Sequence, residues 1–123
     1  MDRPPHSRAA GSLAEDAALS FLLRQGLTLL ERNYHCRRGE IDLIMQEHHT
    51  LVFVEVRSRR PHGFGSAVES VDHRKQQRLV AASAHFLQAH PRHQCAPCRF
   101  DVIGITTQAG ADNLQWIKNA FEA

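Results

Sequence analysis

Leu13, Ala17 and Phe21 recur every fourth residue, with Ala14, Ala18 and Leu22 beside them. That spacing predicts an amphipathic helix over 12–25, and Gly26 supplies its stop. Residues 27–34 read as a short strand, followed by a basic turn at Arg37-Arg38-Gly39.

The apolar period then changes from four to two. Residues 40–46 and 51–57 read as two strands joined by Glu47-His48-His49-Thr50. A four-residue connection sets Gln46 against Leu51. Counting outward sets Ile44 against Phe53, Asp42 against Glu55 and Glu40 against Arg57. Alternation puts these pairs on one face, and sends Ile41, Leu43 and Met45 with Val52, Val54 and Val56 to the other, the core. A second helix is predicted over 72–89, with Lys75, Leu79, Ala82 and Phe86 on one stripe. Strands over 98–106 and 114–118 complete the order: helix, three strands, helix, two strands. The natural packing is α/β, a central mixed sheet flanked by helices.

Length adds that 123 residues make one domain, able to bury a core without staples. Residues 1–10 read as a flexible tail and 11–123 as the domain. No apolar run approaches a membrane span, and the polar N-terminus lacks the apolar centre of a signal peptide, so a cytoplasmic protein is expected. Three cysteines, an odd number, do not suggest a disulfide framework.

The register gives the candidate chemistry. As direct cross-strand neighbours, Asp42 and Glu55 would hold their Cβ atoms about 4.5–5.5 Å apart, where like charges repel. A fold keeps such a pair when something positive sits between them. A hard cation, Mg²⁺ or Mn²⁺, prefers carboxylate oxygens. The plainer alternative is that both acids face water or are neutralised by Arg57 and another base. Net charge, at +2, says little about nucleic acid, but its distribution says more. Arg37, Arg38, Arg57, Arg59, Arg60, Arg74, Lys75 and Arg78, eight of the fifteen Lys and Arg residues, lie in segments beside the carboxylates. A positive rim around an acidic site suits a phosphodiester backbone, whereas a merely solvated surface explains the number but not the clustering.

The strings Gly39-Glu40-Ile41-Asp42-Leu43-Ile44, Val52-Phe53-Val54-Glu55-Val56-Arg57 and Arg99-Phe100-Asp101-Val102 resemble the YraN family of small bacterial proteins. So do the segment around Glu15 and the run Trp116-Ile117-Lys118-Asn119-Ala120-Phe121. The resemblance implies a restriction-endonuclease-like core, similar to Holliday-junction resolvases and other PD-(D/E)XK nucleases. In that fold an acid on the first helix, an Asp on one strand and a Glu-x-Lys on the next make the metal site. Glu15, Asp42 and Glu55-Val56-Arg57 match those places, and the Val56 carbonyl could add a ligand. Arg57 stands where the wider fold usually has lysine. Arginine cannot serve as a general base, but it can hold a phosphate or transition-state charge. Lys75 resembles the basic residue that family members carry on the second helix.

The expected function is therefore metal-dependent phosphodiester hydrolysis on DNA, branched DNA included. Asp42, Glu55, Arg57 and Lys75 would be catalytic, and Glu15, Asp42 and Glu55 would hold Mg²⁺ or Mn²⁺. Arg37, Arg38, Arg59, Arg60, Arg74 and Arg78 would bind nucleic acid. The rival is a module on the same fold that grips nucleic acid or a protein without cutting. A homodimer is left open, and no membrane partner is expected.

Several residues carry second readings. Ser12-Leu13-Ala14-Glu15 also reads as a capping box, with Glu15 closing a helix end. Glu40 is expected to pair with Arg57. Lys75 could simply snorkel from the helix rim. Asp101 is kept out of the metal ligands, as an ion-pair partner near Arg99 or a support of the sheet edge. Phe64, in Gly63-Phe64-Gly65, could stack on a base or fold onto the core. His90, His93, Cys95 and Cys98 are zinc-type ligands at compressed spacing, for which a loop with water-facing histidines is preferred. His48-His49 is expected to be an exposed hairpin tip.

Overall fold

The computed structural model describes residues 5–59, 69–108 and 110–123. The elements run α1 (Pro5–Arg24), β1 (Thr28–Cys36), β2 (Gly39–Glu47), β3 (Thr50–Arg59), α2 (His73–Ala89), a short 3-10 turn (Pro91–His93), β4 (Cys98–Gln108) and β5 (Ala111–Phe121). The sheet order is β1-β2-β3-β4-β5. Its pairs are antiparallel except β3 with β4, which run parallel because α2 carries the chain between them. Among the described residues each face of the sheet has one helix and its own core. Ala14, Ala18 and Leu22 of α1 pack on Leu43, Met45, Val52, Val54, Ile103 and Ile105. Leu79, Ala82 and Phe86 of α2 pack on Tyr34, Ile41, Ile44, Leu51, Phe53, Phe100 and Val102. This is the α/β arrangement of a restriction-endonuclease-like core.

α1 starts at Pro5, seven residues before the expected Ser12. Proline suits the first helical position because its missing N–H has no partner there. Ser12 therefore lies inside the helix, and the capping-box reading of Glu15 falls. The other end is as expected: Gly26 adopts φ 97°. Leu27 N–H reaches Leu22 O and Gly26 N–H reaches Leu23 O, the paired bonds that close a helix through a left-handed residue. α2 is capped by Asp72, whose carboxylate accepts the Lys75 N–H at 2.9 Å.

The hairpin register holds through Glu47↔Thr50, Gln46↔Leu51, Ile44↔Phe53 and Leu43↔Val54. Its turn is the exposed His48-His49, shorter than the four residues expected because Glu47 and Thr50 themselves pair. Beyond Leu43 the strict alternation fails. Ile41 joins the α2-side core while Leu43 faces α1, so the two do not share a face as simple counting required.

Gly39 shows how closely the β1–β2 turn meets α2. A Cβ there would lie 2.3 Å from the Arg78 carbonyl oxygen and 2.9 Å from its carbon. These are backbone atoms and cannot swing aside. Gly39→Ala should destabilise the protein by about 1–3 kcal/mol through overpacking, measured by denaturant unfolding. An unchanged midpoint would show that the turn can move off α2.

Candidate functional site

The break in alternation falls at Asp42. The Val56 N–H, which a continuing ladder would offer to the β2 backbone, donates instead to Asp42 Oδ2 at 2.8 Å. The expected Asp42↔Glu55 ladder pair is thus replaced by a side chain reaching across to the neighbouring strand. The two carboxyl groups still meet, close enough that the charge of one acts on the other. Burial first, then the Glu55 charge, pushes Asp42 up from 3.8 to about 7. Burial also raises Glu55, against the pull of Arg57 and Lys75.

Around this pair stand the charges expected of it, in a changed arrangement. Arg57 does not meet Glu40. Its Nη1 lies 3.3 Å from Glu55 Oε2, and its Nε donates to Ser70 Oγ at 3.1 Å. Glu40 pairs with His35 Nδ1 at 3.3 Å, its direct partner across the β1–β2 ladder. Lys75 is exposed at the end of the stripe whose Leu79, Ala82 and Phe86 are buried. It lines a cleft of about 380 Å³ with Glu40, Glu55, Asp72, Arg74, Arg78 and Leu79. Arg37 and Arg38 are exposed on the turn whose Gly39 packs against Arg78.

Glu15 lies on α1, across the sheet from α2. Burial raises its pKa first and the nearby Asp42 charge second, so it is an electrostatic neighbour of the pair. Its direct partner is Arg32, with Nε 3.7 Å from Oε1. Among the described residues no three His, Cys, Asp or Glu side chains are gathered closely enough to hold a metal ion. The chemistry of the donors nevertheless suits one. Two partly buried carboxyl groups confined together, with a third acid adjacent, are stabilised by a proton or by a hard cation.

Sequence reasoning missed Ser70 and Arg32. Ser70 is separated from the hairpin by residues outside the described ones, and no local pattern points to it. Arg32 sits on a strand read only for its apolar positions. Arg60 and Phe64 lie outside the described residues, and Arg59 is described only as the end of β3. Asp101 is not part of the site. It is 1% exposed and accepts hydrogen bonds from Arg99 Nε, Trp116 Nε1 and the Asn119 N–H. His90 Nδ1 bonds to Phe86 O at 2.8 Å and its ring stacks on Phe86, while Cys95 and Cys98 are exposed. Among the described residues no helix is long and apolar enough to cross a membrane.

An α/β core of restriction-endonuclease type, with the partly buried acids Asp42 and Glu55 beside a cleft lined by acids and bases alike, defines the structural class of the protein. Within it, the chain belongs to the uncharacterised protein family UPF0102, the YraN family, whose profile matches residues 14–105. A UPF0102 protein of Nitrosococcus oceani is 51% identical over 119 residues, covering 97% of this chain and 96% of that protein. One from Stutzerimonas stutzeri is 55% identical over 117 residues, covering 95% and 98%. One from Pseudomonas entomophila is 54% identical over 114 residues.

Proposed function

We propose that this protein is a metal-dependent phosphodiesterase acting on DNA, branched DNA included, with its site at Asp42 and Glu55. The observation that carries the reading is this acid pair, confined by burial, with Glu55 on a cleft that Arg74, Lys75 and Arg78 line together with Glu40 and Asp72. Asp42 and Glu55, with Glu15 as the adjacent third acid, are the residues that would hold Mg²⁺ or Mn²⁺. Such an ion supplies Lewis-acid stabilisation of phosphate charge and lowers the pKa of water.

The chain's own residues do the rest. Val56 N–H fixes the Asp42 carboxylate from the neighbouring strand. Glu55 and Ser70 hold the Arg57 guanidinium from two sides, so little freedom is lost when its remaining N–H donors meet a phosphate oxygen. Arg57 serves charge stabilisation, not proton abstraction. Lys75 brings a second positive charge from the rim. Arg37, Arg38, Arg74 and Arg78 are suited to flanking phosphates, which fix the position of the backbone without reading sequence. A cytoplasmic location belongs to the same proposal, and a homodimer is compatible with it. The alternative, a module that grips DNA without cutting, draws on one feature: arginine, which cannot act as a base, holds the position where lysine is usual.

The deciding experiment incubates the protein with linear, flapped and four-way DNA in Mg²⁺ or Mn²⁺. Cleavage lost in Glu55→Gln supports hydrolysis, while binding without cleavage on every substrate leaves the gripping module. Arg57 gives a sharper comparison. Arg57→Lys should keep substantial activity because it keeps the charge, while Arg57→Ala should lose about 100-fold or more. Equal rates for parent and both variants would place the chemistry elsewhere.

Binding should also weaken steeply with salt, since each neutralised phosphate releases counterions. Arg74→Ala with Arg78→Ala should weaken binding across all sequences and reduce the log–log salt slope by about 2. A slope near zero in the parent would remove the backbone-binding model.

A further inference from the structure

β3 and β4 run parallel, and open α/β sheets take ligands outside the carboxyl ends of such strands. Glu55 and Arg57 lie toward that end of β3, and the register carries their face across the sheet. Glu55 pairs with Val102 and Arg57 with Gly104 on β4. On β5, Val102 meets Ile117, Gly104 meets Gln115 and Thr106 meets Asn113. Ile103 and Ile105, which alternate with these positions, pack on the α1 side with their partners Trp116 and Leu114. Val102 and Ile117 pack on the α2 side. Gly104, Thr106, Asn113 and Gln115 therefore continue the α2-side face that carries Arg57. They lie beyond Val102, the last β4 residue of the core beneath α2.

These four residues, with Leu114 between the last two, line a recess of about 390 Å³. No charged side chain is among them. Asn113 and Gln115 are exposed, and among the described residues neither side chain has a hydrogen-bond partner. Gly104 lies inside β4 without a positive φ, so its backbone does not require glycine. A glycine within a strand costs stability, and a frequent reason for one is a ligand or backbone that approaches closely.

The spacing fits one nucleotide. Adjacent strands lie about 4.8 Å apart, so Gly104 is one step and Gln115 two steps, roughly 10 Å, from Arg57. A phosphate held at Arg57 would carry its own sugar and base over that floor. Primary amides and a hydroxyl offer donors and acceptors side by side and can turn to present either. They suit base edges of any sequence, and being neutral they do not compete for phosphate. Side chains that read a duplex project from a helix or a ribbon into its groove. Here the groups line a hollow, so the base has to come to them, and a paired base would have to leave its stack to do so.

We infer that the recess formed by Gly104, Thr106, Asn113 and Gln115 holds an unpaired nucleobase next to the phosphate at Arg57. The inference rests on the DNA reading above and deepens it: the preferred substrate has a single-stranded or opened segment beside the phosphate that is cut. The recess recognises strandedness, while the basic residues of the neighbouring cleft supply attraction for the backbone.

The two contributions separate by salt. The parent and the double variant Asn113→Ala with Gln115→Ala are compared by fluorescence anisotropy, in Ca²⁺ and in chelator, over a range of salt. The probes are a blunt duplex, a single strand and a duplex with a single-stranded flap. Both side chains are exposed, so the two proteins should share one Tm. The variant should bind the flap and the single strand about 10-fold more weakly, because two hydrogen-bonding groups are lost. Its affinity for the blunt duplex should stay within about 2-fold, and its log–log salt slope should match the parent's, because no charge has been removed.

Equal losses on all three DNAs, or no loss on any, would overturn the inference and leave the DNA reading standing, since the parent still binds. A parent that binds none of the three in either condition removes the DNA reading, and this inference with it.

Discussion

Replacing Asp101 by alanine should cost the fold about 3–5 kcal/mol. The carboxylate is almost wholly buried and answers three donors on three residues: Arg99 Nε, Trp116 Nε1 and the Asn119 backbone N–H. Asp101 and Arg99 belong to β4, Trp116 and Asn119 to β5, so one carboxylate ties the sheet's last strand to its neighbour. It does so beside a register shift between Phe100 and Val102, where the regular ladder is interrupted and the backbone needs another acceptor. Alanine leaves those donors without the acceptor and Arg99 with only Glu47, 2.7 Å away. The expected drop in Tm is on the order of 10–20 °C. Asp101→Asn keeps an oxygen and the shape, and should lose less. A shift below about 3 °C for Asp101→Ala would mean that water replaces the carboxylate freely.

Removing the charge of Asp42 should do the opposite. In chelator, Asp42→Asn should melt higher than the parent. The asparagine oxygen still accepts the Val56 N–H, its amide can donate to Glu55, and the repulsion between two confined acids is gone. The sign follows from the pKa. Asp42 binds its proton more tightly folded, at about 7, than unfolded, at 3.8. Its contribution to stability is therefore fully present below the unfolded value, declines as pH rises toward 7, and stays lost above it. The variant's advantage should be greatest above pH 7, on the order of 2 kcal/mol, and should shrink toward pH 4. Mg²⁺ or Mn²⁺ binds only the folded site and should raise the parent's Tm by mass action, while Asp42→Asn should lose most of that gain. Equal metal shifts in the two proteins, or clear destabilisation of the metal-free variant, would argue that Asp42 is an ordinary surface acid.

The two substitutions separate kinds of acid that look alike in sequence. Asp101 is surrounded by donors, so its negative charge is needed for the fold. Asp42 has one backbone donor and faces another acid, so its charge opposes the fold unless a cation or a proton intervenes. Neither environment can be read from neighbouring letters, since the partners of Asp101 come from positions up to 18 residues away.

Hydrophobic periodicity determined most of the architecture. The spacing of Leu13, Ala17 and Phe21 with Ala14, Ala18 and Leu22 beside them, and of Leu79, Ala82 and Phe86, placed both helices, although α1 buries Ala14, Ala18 and Leu22 and leaves Leu13 exposed. Alternation in β2 and β3 placed Ile44 against Phe53 and Gln46 against Leu51, because a hairpin connects neighbours in sequence and leaves little freedom of register. The same logic brought Asp42 and Glu55 to one place. Local pattern could not give the departure from regularity that makes the site. Strand counting assumes an unbroken ladder, and the ladder breaks where Asp42 takes the Val56 N–H for itself. That break moved Ile41 to the α2 side, separated Glu40 from Arg57 and gave Arg57 to Glu55 and Ser70. Only packing across the sheet could set Arg32 of β1 beside Glu15 of α1, because a charge finds its partner through space and leaves no period in the chain.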